Sequence, residues 1–200
     1  MTEFDAVILA NGVFPTAEEP LRFLHEAPFV VCCDGAARHW PQCDAVVGDG
    51  DSVPEVLRER LIQIDEQEDN DLTKATRYCL SKGMKHIVYL GATGLREDHT
   101  IGNISLLVRY ATEMGIDPVM ATDTGWFVVA EGDAAFAAFK GQQVSIFNVN
   151  CTSLASQGLR WQAFPYRQFW QGTLNEATGE SFLLHGDGHY LVYRTYLPKT

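Results

Sequence analysis

The fold of this chain is indicated by one stretch, Ala45-Val46-Val47-Gly48-Asp49-Gly50-Asp51-Ser52. Three apolar residues run into a glycine and two aspartates, which is typical of a buried strand that ends by presenting carboxylates. In an open α/β sheet, ligands bind beyond the carboxyl ends of the strands. Two carboxylates at such a place suit a hard cation such as Mg²⁺ and a phosphate substrate. An Asp-Gly-Asp turn without a ligand explains the same residues, because Gly and Asp are common turn formers.

The N-terminal part of the chain alternates between apolar strands and helices. Besides the opening stretch, strands are predicted at 6–9, 29–33, 61–64, 86–90 and 118–122. Helices are predicted at 20–26, 36–40, 54–60, 71–82 and 98–113, the last ended by Gly115. This alternation predicts an α/β fold with a mostly parallel sheet and flanking helices.

The pattern changes after Asp123, where long helical segments stop. Strands are predicted at 126–130, 143–147, 181–184 and 190–193, with tight turns at 131–133 and 186–188. These elements indicate a C-terminal β-sandwich, so we place a domain boundary between 1–123 and 124–200. His185 and His189 flank the second turn, and a hairpin explains them better than a metal site.

The composition limits the class of protein. The 200 residues are 46% hydrophobic and 20% charged, as in soluble globular proteins. The formal net charge of −11 repels nucleic acid, so we expect no nucleic-acid partner. A cationic small molecule is attracted, whereas an anionic nucleotide needs a metal ion and local Lys or Arg residues to bind.

The chain shows no targeting or membrane signal. No apolar run approaches the roughly 20 residues that cross a bilayer, and the first residues lack the pattern of a signal peptide. The five cysteines lack zinc-like spacing and are expected to be reduced and buried. We therefore expect a cytoplasmic protein that does not contact membranes.

A second acidic cluster lies where the helix at 71–82 begins. Residues 65–71 contain five acids, followed one turn later by Lys74. A helix cap at Asp69 or Asn70, with Asp71 at the positive end of the helix dipole, accounts for one or two of these acids. Because like charges at close range cost energy unless a cation offsets them, we favour a functional role. Asp71 and Lys74 are spaced to reach one site.

A third cluster runs from Gly91 to Asn103, between a strand and a helix. Its glycine-rich turn allows backbone N–H groups to approach a phosphate, although it is not a P-loop. Arg96 is suited to holding a phosphate. Asp98 is either a metal ligand or a helix cap, and His99 either assists proton transfer or is structural. Of the four tryptophans, most are expected in the core, while an exposed Trp161 is suited to stacking on a flat cationic ring.

Together these clusters resemble the thiamine pyrophosphokinase (thiamin diphosphokinase) family. The motifs that carry the resemblance are Asp34-Gly35-Ala36-Ala37-Arg38, Gly48-Asp49-Gly50-Asp51-Ser52, Gln67 with Asn70-Asp71-Leu72-Thr73-Lys74-Ala75, Gly91 to His99 with Asn103, and Leu174-Asn175-Glu176-Ala177. Their order is kept over essentially the whole chain. The chain departs from the family pattern with Arg38 for Asn, Gly50 for a bulkier residue, Leu95 for Gly and Leu174 for Ser.

The resemblance implies a transferase with two domains. Residues 1–123 would form an α/β ATP-binding catalytic domain, and 124–200 a β-sandwich for thiamine binding and dimerisation. The implied reaction is Mg²⁺-dependent transfer of a diphosphoryl group from ATP to the thiamine hydroxyl, which gives thiamine diphosphate and AMP. A homodimer with thiamine at the subunit interface is also implied.

The resemblance also implies roles for individual residues. The expected Mg²⁺ ligands are Asp49, Asp51, Asp71 and Asp98. Lys74 and Arg96 would offset charge on the transferring group, and Asp71 would take the hydroxyl proton. Co-substrate contacts are expected from Asp34, Gln67, Thr93, His99 and Asn103, and thiamine contacts from Trp161 and Asn175. The alternatives are a diphosphotransferase for another small alcohol and a non-catalytic nucleotide or thiamine sensor.

Overall fold

A computed structural model describes residues 3–198 of the chain. The chain divides into two compact units, and the division falls between Asp123 and Thr124. Within the described residues, none of the helices is both long and apolar enough to cross a bilayer. The five cysteines, all within this range, are buried free thiols, which confirms the expectation.

The first unit contains a sheet of parallel strands. They are β1 (Ala6–Leu9), β2 (Val30–Cys33), β3 (Ala45–Gly48), β4 (Leu61–Gln63), β5 (His86–Leu90) and β6 (Asp117–Ala121). Their spatial order is β6-β5-β1-β2-β3-β4, and neighbouring strands in this order pair in parallel. The chain therefore moves outward from β1 to β4 and then returns to the other side of β1. A reversal of this kind opens a crevice at the carboxyl ends of β1 and β5.

In the described part of the first unit, three α-helices accompany this sheet, namely α1 (Glu18–Glu26), α2 (Asp71–Ser81) and α3 (Glu97–Met114). As predicted, Gly115 ends α3 in the left-handed conformation, with a φ of 65°. Asn70, one of the two predicted caps, accepts a hydrogen bond from the Thr73 N–H at 3.0 Å. The predicted helices at 36–40 and 54–60 are short 3₁₀ segments, Asp34–Arg38 and Glu55–Arg60. Both are too short to gain the cooperative hydrogen bonding of an α-helix.

The second unit is a sandwich of two antiparallel sheets, as predicted. One sheet has the order β11-β9-β13-β7 and the other β10-β12-β8. The strands are β7 (Gly125–Glu131), β8 (Ala134–Ala137), β9 (Gln142–Asn148), β10 (Leu154–Gln157), β11 (Asn175–Glu176), β12 (Ser181–Gly186) and β13 (His189–Pro198). Side chains from both sheets share one core, which includes Phe136, Ile146, Leu184 and Tyr190. β8, β10 and β11 were not predicted, because they are short and rich in residues with low strand propensity.

The turn at 186–188 corrects one prediction. It joins β12 to β13, which lie in different sheets, so it is not a hairpin. His185 contacts the carboxylate of Asp133 at 3.0 Å, and His189 contacts that of Glu131 at 3.5 Å. Among residues 3–198, no group of three or more His, Cys, Asp or Glu side chains is placed to hold a metal ion. The histidines therefore pair with acids next to a turn that connects the two sheets.

The start of α1 is capped by a residue distant in sequence. Ala17, the N-cap position, makes no side-chain cap of its own. The carboxylate of Asp123 instead accepts hydrogen bonds from the Thr16 N–H at 2.9 Å, the Thr16 hydroxyl at 2.6 Å and the Ala17 N–H at 3.1 Å. Partial burial raises the pKa of Asp123, but these hydrogen bonds outweigh it and hold the pKa below its usual value.

We predict that Asp123→Ala lowers the free energy of unfolding at pH 7 by about 1 kcal/mol, the typical value of a cap. Because the pKa of Asp123 is lower in the folded state, its contribution is full above the unfolded pKa of about 3.9 and is lost as the pH falls through the folded pKa. Urea unfolding at pH 7 and pH 3 measures this difference.

The matched control is Asp117→Ala at the start of β6, whose exposed carboxylate contacts only His86 among the ion pairs recorded for residues 3–198. We expect that control to change stability by less than about 0.5 kcal/mol at either pH. The cap is disproved if Asp123→Ala is no more destabilising than the control at pH 7, or if its cost grows as the pH falls.

Candidate active site

A crevice of about 400 Å³ lies at the carboxyl ends of β1 and β5. It is lined by residues 10–12 after β1, 91–93 after β5, 70–72 at the start of α2, and the first turns of α3. Each of these segments begins where a strand ends or a helix starts. The crevice therefore coincides with the reversal of strand order, where α/β sheets bind ligands.

Two loops that meet backbone to backbone form one side of the crevice. The Gly12 N–H donates to the Gly91 carbonyl at 2.7 Å, and the Val13 N–H donates to the Thr93 carbonyl at 2.9 Å. A Cβ atom at Gly12 would lie 2.3 Å from the Gly91 oxygen. Gly91 itself has a φ of 62°, which favours glycine. Only glycine at position 12 allows the two loops to approach in this way.

Asp34 brings a buried carboxylate to the end of β2. Its side chain is 7% exposed, and its Oδ2 accepts a hydrogen bond from the Ser52 N–H at 3.1 Å. Its Oδ1 is buried and has no hydrogen-bond partner within the described residues. Gly48 makes room for it, since a Cβ there would lie 2.8 Å from the Asp34 Cβ.

The charges around Asp34 are negative. Burial raises the pKa of its carboxyl, and the neighbouring carboxylates of Asp49 and Asp71 raise it further, against the lowering effect of the hydrogen bond from Ser52. An unpartnered carboxylate oxygen beside two further carboxylates fits a hard cation such as Mg²⁺ in its chemistry. As noted above for residues 3–198, these acids are not gathered into a closed ligand set.

The predicted metal ligands occupy different settings. Asp49 Oδ1 accepts a hydrogen bond from the Asp51 N–H at 3.1 Å, which agrees with the turn interpretation of this stretch. Asp71 lines the crevice. Asp98 is exposed and receives two hydrogen bonds from Arg96, at 2.6 and 3.1 Å. The cap interpretation of Asp98 is wrong, because Arg96 is the N-cap residue of α3. The metal-binding role of all four aspartates stays a prediction.

Lys74 places a buried cation beside the crevice. It is 2% exposed, and its Nζ lies 3.3 Å from Asp71 Oδ1. Asp71 begins α2, and Lys74 follows three residues later on the same face of the helix, as their spacing predicted. A buried ammonium group paired with a half-exposed carboxylate provides a local positive charge at the edge of an acidic site.

Two acids of the run before α2, Glu66 and Asp69, form ion pairs. Asp69 accepts hydrogen bonds from Arg77 at 2.9 Å and from Arg109 at 2.7 Å, while Glu66 pairs with Arg77. These two acids join the loop to α2 and α3, so the structure favours a structural role for Glu66 and Asp69, while the functional role of the other acids in the cluster stays a prediction. Gln67 is exposed and donates to the Asp65 carbonyl at 3.3 Å, away from the crevice lining.

The remaining residues predicted for co-substrate binding line the crevice. They are Thr93, His99 and Asn103, and Arg96, which was predicted to offset charge on the transferring group, lines the crevice with them. Sequence reasoning missed Asn11, Cys33 and Asn70, which line it as well. The available signal for Asn11 was the Asn11-Gly12 pair just after the predicted strand at 6–9. Asn11 Nδ2 would lie 2.8 Å from a Cβ at Gly35, so it stands between the ends of β1 and β2.

The second unit has a separate cavity of about 300 Å³ that includes Trp161, Phe164, Leu174 and Asn175. Asn175 is buried, and its side-chain amide binds both backbone groups of Trp161. The Trp161 N–H donates to Asn175 Oδ1 at 3.1 Å, and Asn175 Nδ2 donates to the Trp161 carbonyl at 2.7 Å. The Trp161 side chain is 54% exposed. The structure thus brings these two predicted residues together, with Asn175 holding the backbone and Trp161 presenting its ring.

Comparisons with known proteins agree across both units. Residues 21–117 match the family model "Thiamin pyrophosphokinase, catalytic domain", and residues 125–193 match "Thiamin pyrophosphokinase, substrate-binding domain". A Caenorhabditis elegans protein named thiamin pyrophosphokinase 1 is 27% identical over an alignment of 124 positions that covers 53% of this chain. The aligned segment spans 49% of that relative's length.

Solved structures share the fold. The thiamin pyrophosphokinase of Candida albicans has a TM-score of 0.77 at 16% identity and covers 96% of this chain and 89% of its own. The yeast enzyme has a TM-score of 0.78 at 13% identity, with 98% and 87% covered. The Bacillus subtilis enzyme has a TM-score of 0.75 at 19% identity, with 96% and 98% covered. At these identities the likeness establishes the fold.

We predict that Gly12→Ala lowers the free energy of unfolding by about 1–3 kcal/mol, because the new methyl group forces the two loops apart. Urea unfolding measures this effect. Gly102→Ala in α3 is the control, since a Cβ there meets nothing within 4 Å. It should stabilise the helix by about 0.5–1 kcal/mol. A wild-type free energy of unfolding in Gly12→Ala would refute the claim that the two loops require glycine at position 12.

Proposed function

The chain belongs to the thiamin pyrophosphokinase family, and from this premise we propose that it transfers a diphosphoryl group from ATP to the hydroxyl of thiamine. The hydroxyl oxygen forms a bond to the β-phosphorus of ATP, the bond to the α-phosphate oxygen breaks, and AMP leaves. The observation that carries this proposal is the crevice at the strand-order reversal, which is lined by the loop after β5 and by Asp71, whose carboxylate pairs with the buried Lys74.

In this proposal the loop after β5 and the start of α3 bind the phosphates of ATP. Backbone N–H groups at a helix start favour anions, and Arg96 adds a planar cation. Arg96 pairs with Asp98 in the structure, so when ATP binds, Arg96 exchanges the carboxylate of Asp98 for a phosphate group. Asn103 stabilises the loop through its hydrogen bond to the Ala92 carbonyl at 2.7 Å. Thr93 and His99 complete this side of the crevice.

The other side of the crevice prepares the acceptor. Asp71 takes the proton of the thiamine hydroxyl, and Lys74 offsets charge on the transferring group. Asp49, Asp51, Asp71 and Asp98 are the residues proposed to hold Mg²⁺, with Asp34 beside them. When bound, the ion neutralises phosphate charge, which is the main requirement in phosphoryl transfer. The acidic surroundings also attract the positive thiazolium ring of thiamine.

Thiamine recognition is proposed for the cavity at Trp161. The exposed indole is suited to stacking on a cationic ring. It already contacts one cation, since the Arg160 guanidinium lies over it at 5.0 Å from the ring centre. We also propose a homodimer, in which a second copy covers the apolar surface of the second unit. Phe169 and Trp170, each 70% exposed, are part of that surface.

We predict that the protein forms AMP and thiamine diphosphate from ATP, Mg²⁺ and thiamine. Asp71→Asn should lower this rate by at least about 100-fold, because it removes the general base. Liquid chromatography of both products measures the rate, and circular dichroism checks the fold. Asp117→Asn, an exposed acid outside the crevice, should keep the wild-type rate.

Other outcomes of this assay identify the alternatives. ADP as the nucleotide product would exclude diphosphoryl transfer. Binding of both substrates without turnover would favour a sensor, and faster turnover of another small alcohol would replace thiamine as the acceptor. A fully active Asp71→Asn variant would refute the role of Asp71.

We further predict that Trp161→Ala raises the KM for thiamine about 5- to 30-fold, equivalent to about 1–2 kcal/mol of lost cation–π and stacking contact. Trp161→Phe should recover part of the loss, because phenylalanine keeps an aromatic face. The KM for ATP should not change in either variant. Steady-state kinetics with each substrate varied in turn tests this, and an unchanged KM for thiamine in Trp161→Ala would place thiamine elsewhere.

A further inference from the structure

Asn70, which caps α2, uses both ends of its side-chain amide. Its Oδ1 accepts hydrogen bonds from the backbone N–H and the hydroxyl of Thr73, each at 3.0 Å. Its Nδ2 donates to Oδ1 of Asn103 on α3 at 3.1 Å. A helix cap requires only the oxygen, as the frequent use of Ser and Asp at this position shows. The contact made by the nitrogen therefore serves a second purpose.

Asn103 extends this contact to the loop after β5. Its Nδ2 donates to the Ala92 carbonyl at 2.7 Å. The carbonyls on either side of Ala92, those of Gly91 and Thr93, accept from the Gly12 and Val13 N–H groups. A continuous path of hydrogen bonds thus runs from the first turn of α2, through two amide side chains, to the loops that form the crevice.

The direction of this path is determined at both of its ends. The Thr73 N–H can only donate, so it requires the oxygen of Asn70 and turns the nitrogen of Asn70 towards Asn103. The Ala92 carbonyl can only accept, so it requires the nitrogen of Asn103 and leaves its oxygen for Asn70. Two neighbouring amides satisfy this arrangement in one orientation alone. Because neither amide can exchange its oxygen and nitrogen, the path holds the start of α2 and the loop after β5 in one relative position.

The groups that the path positions are those proposed to do the chemistry. Asp71 directly follows Asn70 and lines the crevice, and Lys74 contacts Asp71 at 3.3 Å. All three residues belong to the start of α2. A shift of this helix start relative to the loop at 91–94 would move the carboxylate and the ammonium group away from a phosphate bound there. A misplacement of about 1 Å can cost about 100-fold in rate.

We propose that Asn70 is a positioning residue for the diphosphoryl transfer proposed above, on which this inference rests. Its amide nitrogen, through Asn103, holds Asp71 and Lys74 at a set distance from the phosphate-binding loop. Its oxygen contributes separately to the stability of α2. The two tasks belong to different atoms, so they can be separated by substitution.

Asn70→Ser separates them, because serine keeps a capping oxygen but has no amide nitrogen to reach Asn103. Asn70→Ala removes both groups and serves as the matched comparison. We expect both variants to lower kcat by a similar factor, about 10- to 100-fold, with the KM for ATP changed less than about threefold. Only Asn70→Ala should lower the melting temperature.

A double substitution tests whether the two amides act as one unit. If they do, Asn70→Ser combined with Asn103→Ala should have a kcat no lower than the slower single variant. Multiplication of the two losses would overturn the proposal. So would a wild-type kcat in Asn70→Ser, or a loss of kcat that appears only in the destabilised Asn70→Ala.

Hydrogen exchange gives a readout that does not depend on turnover. In Asn70→Ser without substrates, the Gly12 and Val13 amides should exchange at least about threefold faster, because the loop that accepts their hydrogen bonds is less restrained. Unchanged exchange would disprove the path. If the wild-type protein forms no AMP from ATP and thiamine, the proposed function fails, whereas faster exchange would still support the structural link.

Discussion

The approach of two loops at backbone distance is the constraint on which the site depends. The Gly12 N–H meets the Gly91 carbonyl at 2.7 Å, in a space that no side chain at position 12 can share. This contact keeps the ends of β1 and β5 side by side at the point where the strand order reverses. The starts of α2 and α3 then converge on the same crevice, one carrying Asp71 and the other Arg96. The chemistry is therefore assembled around a feature made of main chain.

The site also contains charge that works against stability. Asp34 is buried beside other carboxylates, and one of its oxygens is without a hydrogen-bond partner in the described chain. A buried acid normally needs a compensating partner, and its absence costs free energy. A protein keeps such an unfavourable free energy where a bound ligand removes it. Acids with perturbed pKa values therefore cluster at functional sites. Lys74, paired with Asp71, offsets part of this charge in the free protein.

Much of the first unit could be predicted because its signals are local. Apolar runs and helix starts identify the strands and helices, and the polar residues at the strand ends indicate the crevice. The ion pairs of Asp69 could not be predicted, because its partner Arg109 lies 40 residues away. In the second unit, β8 and β11 take their conformation from neighbouring strands rather than from their own residues. Asn70 was interpreted as a cap, and its second contact, with Asn103, depends on tertiary structure alone.

The cap of α1 by Asp123 has a consequence for the order of folding. Thr16 and Asp123 are separated by 107 positions, so the first helix cannot receive its cap until nearly the whole first unit has been synthesised. Contacts between distant residues slow folding, because a long loop must close before they form. During translation, the cap of α1 therefore forms only after Asp123, the last residue of the first unit, has been added. The bond that closes the N-terminal unit lies directly before Thr124, so completion of the first unit coincides with emergence of the second from the ribosome.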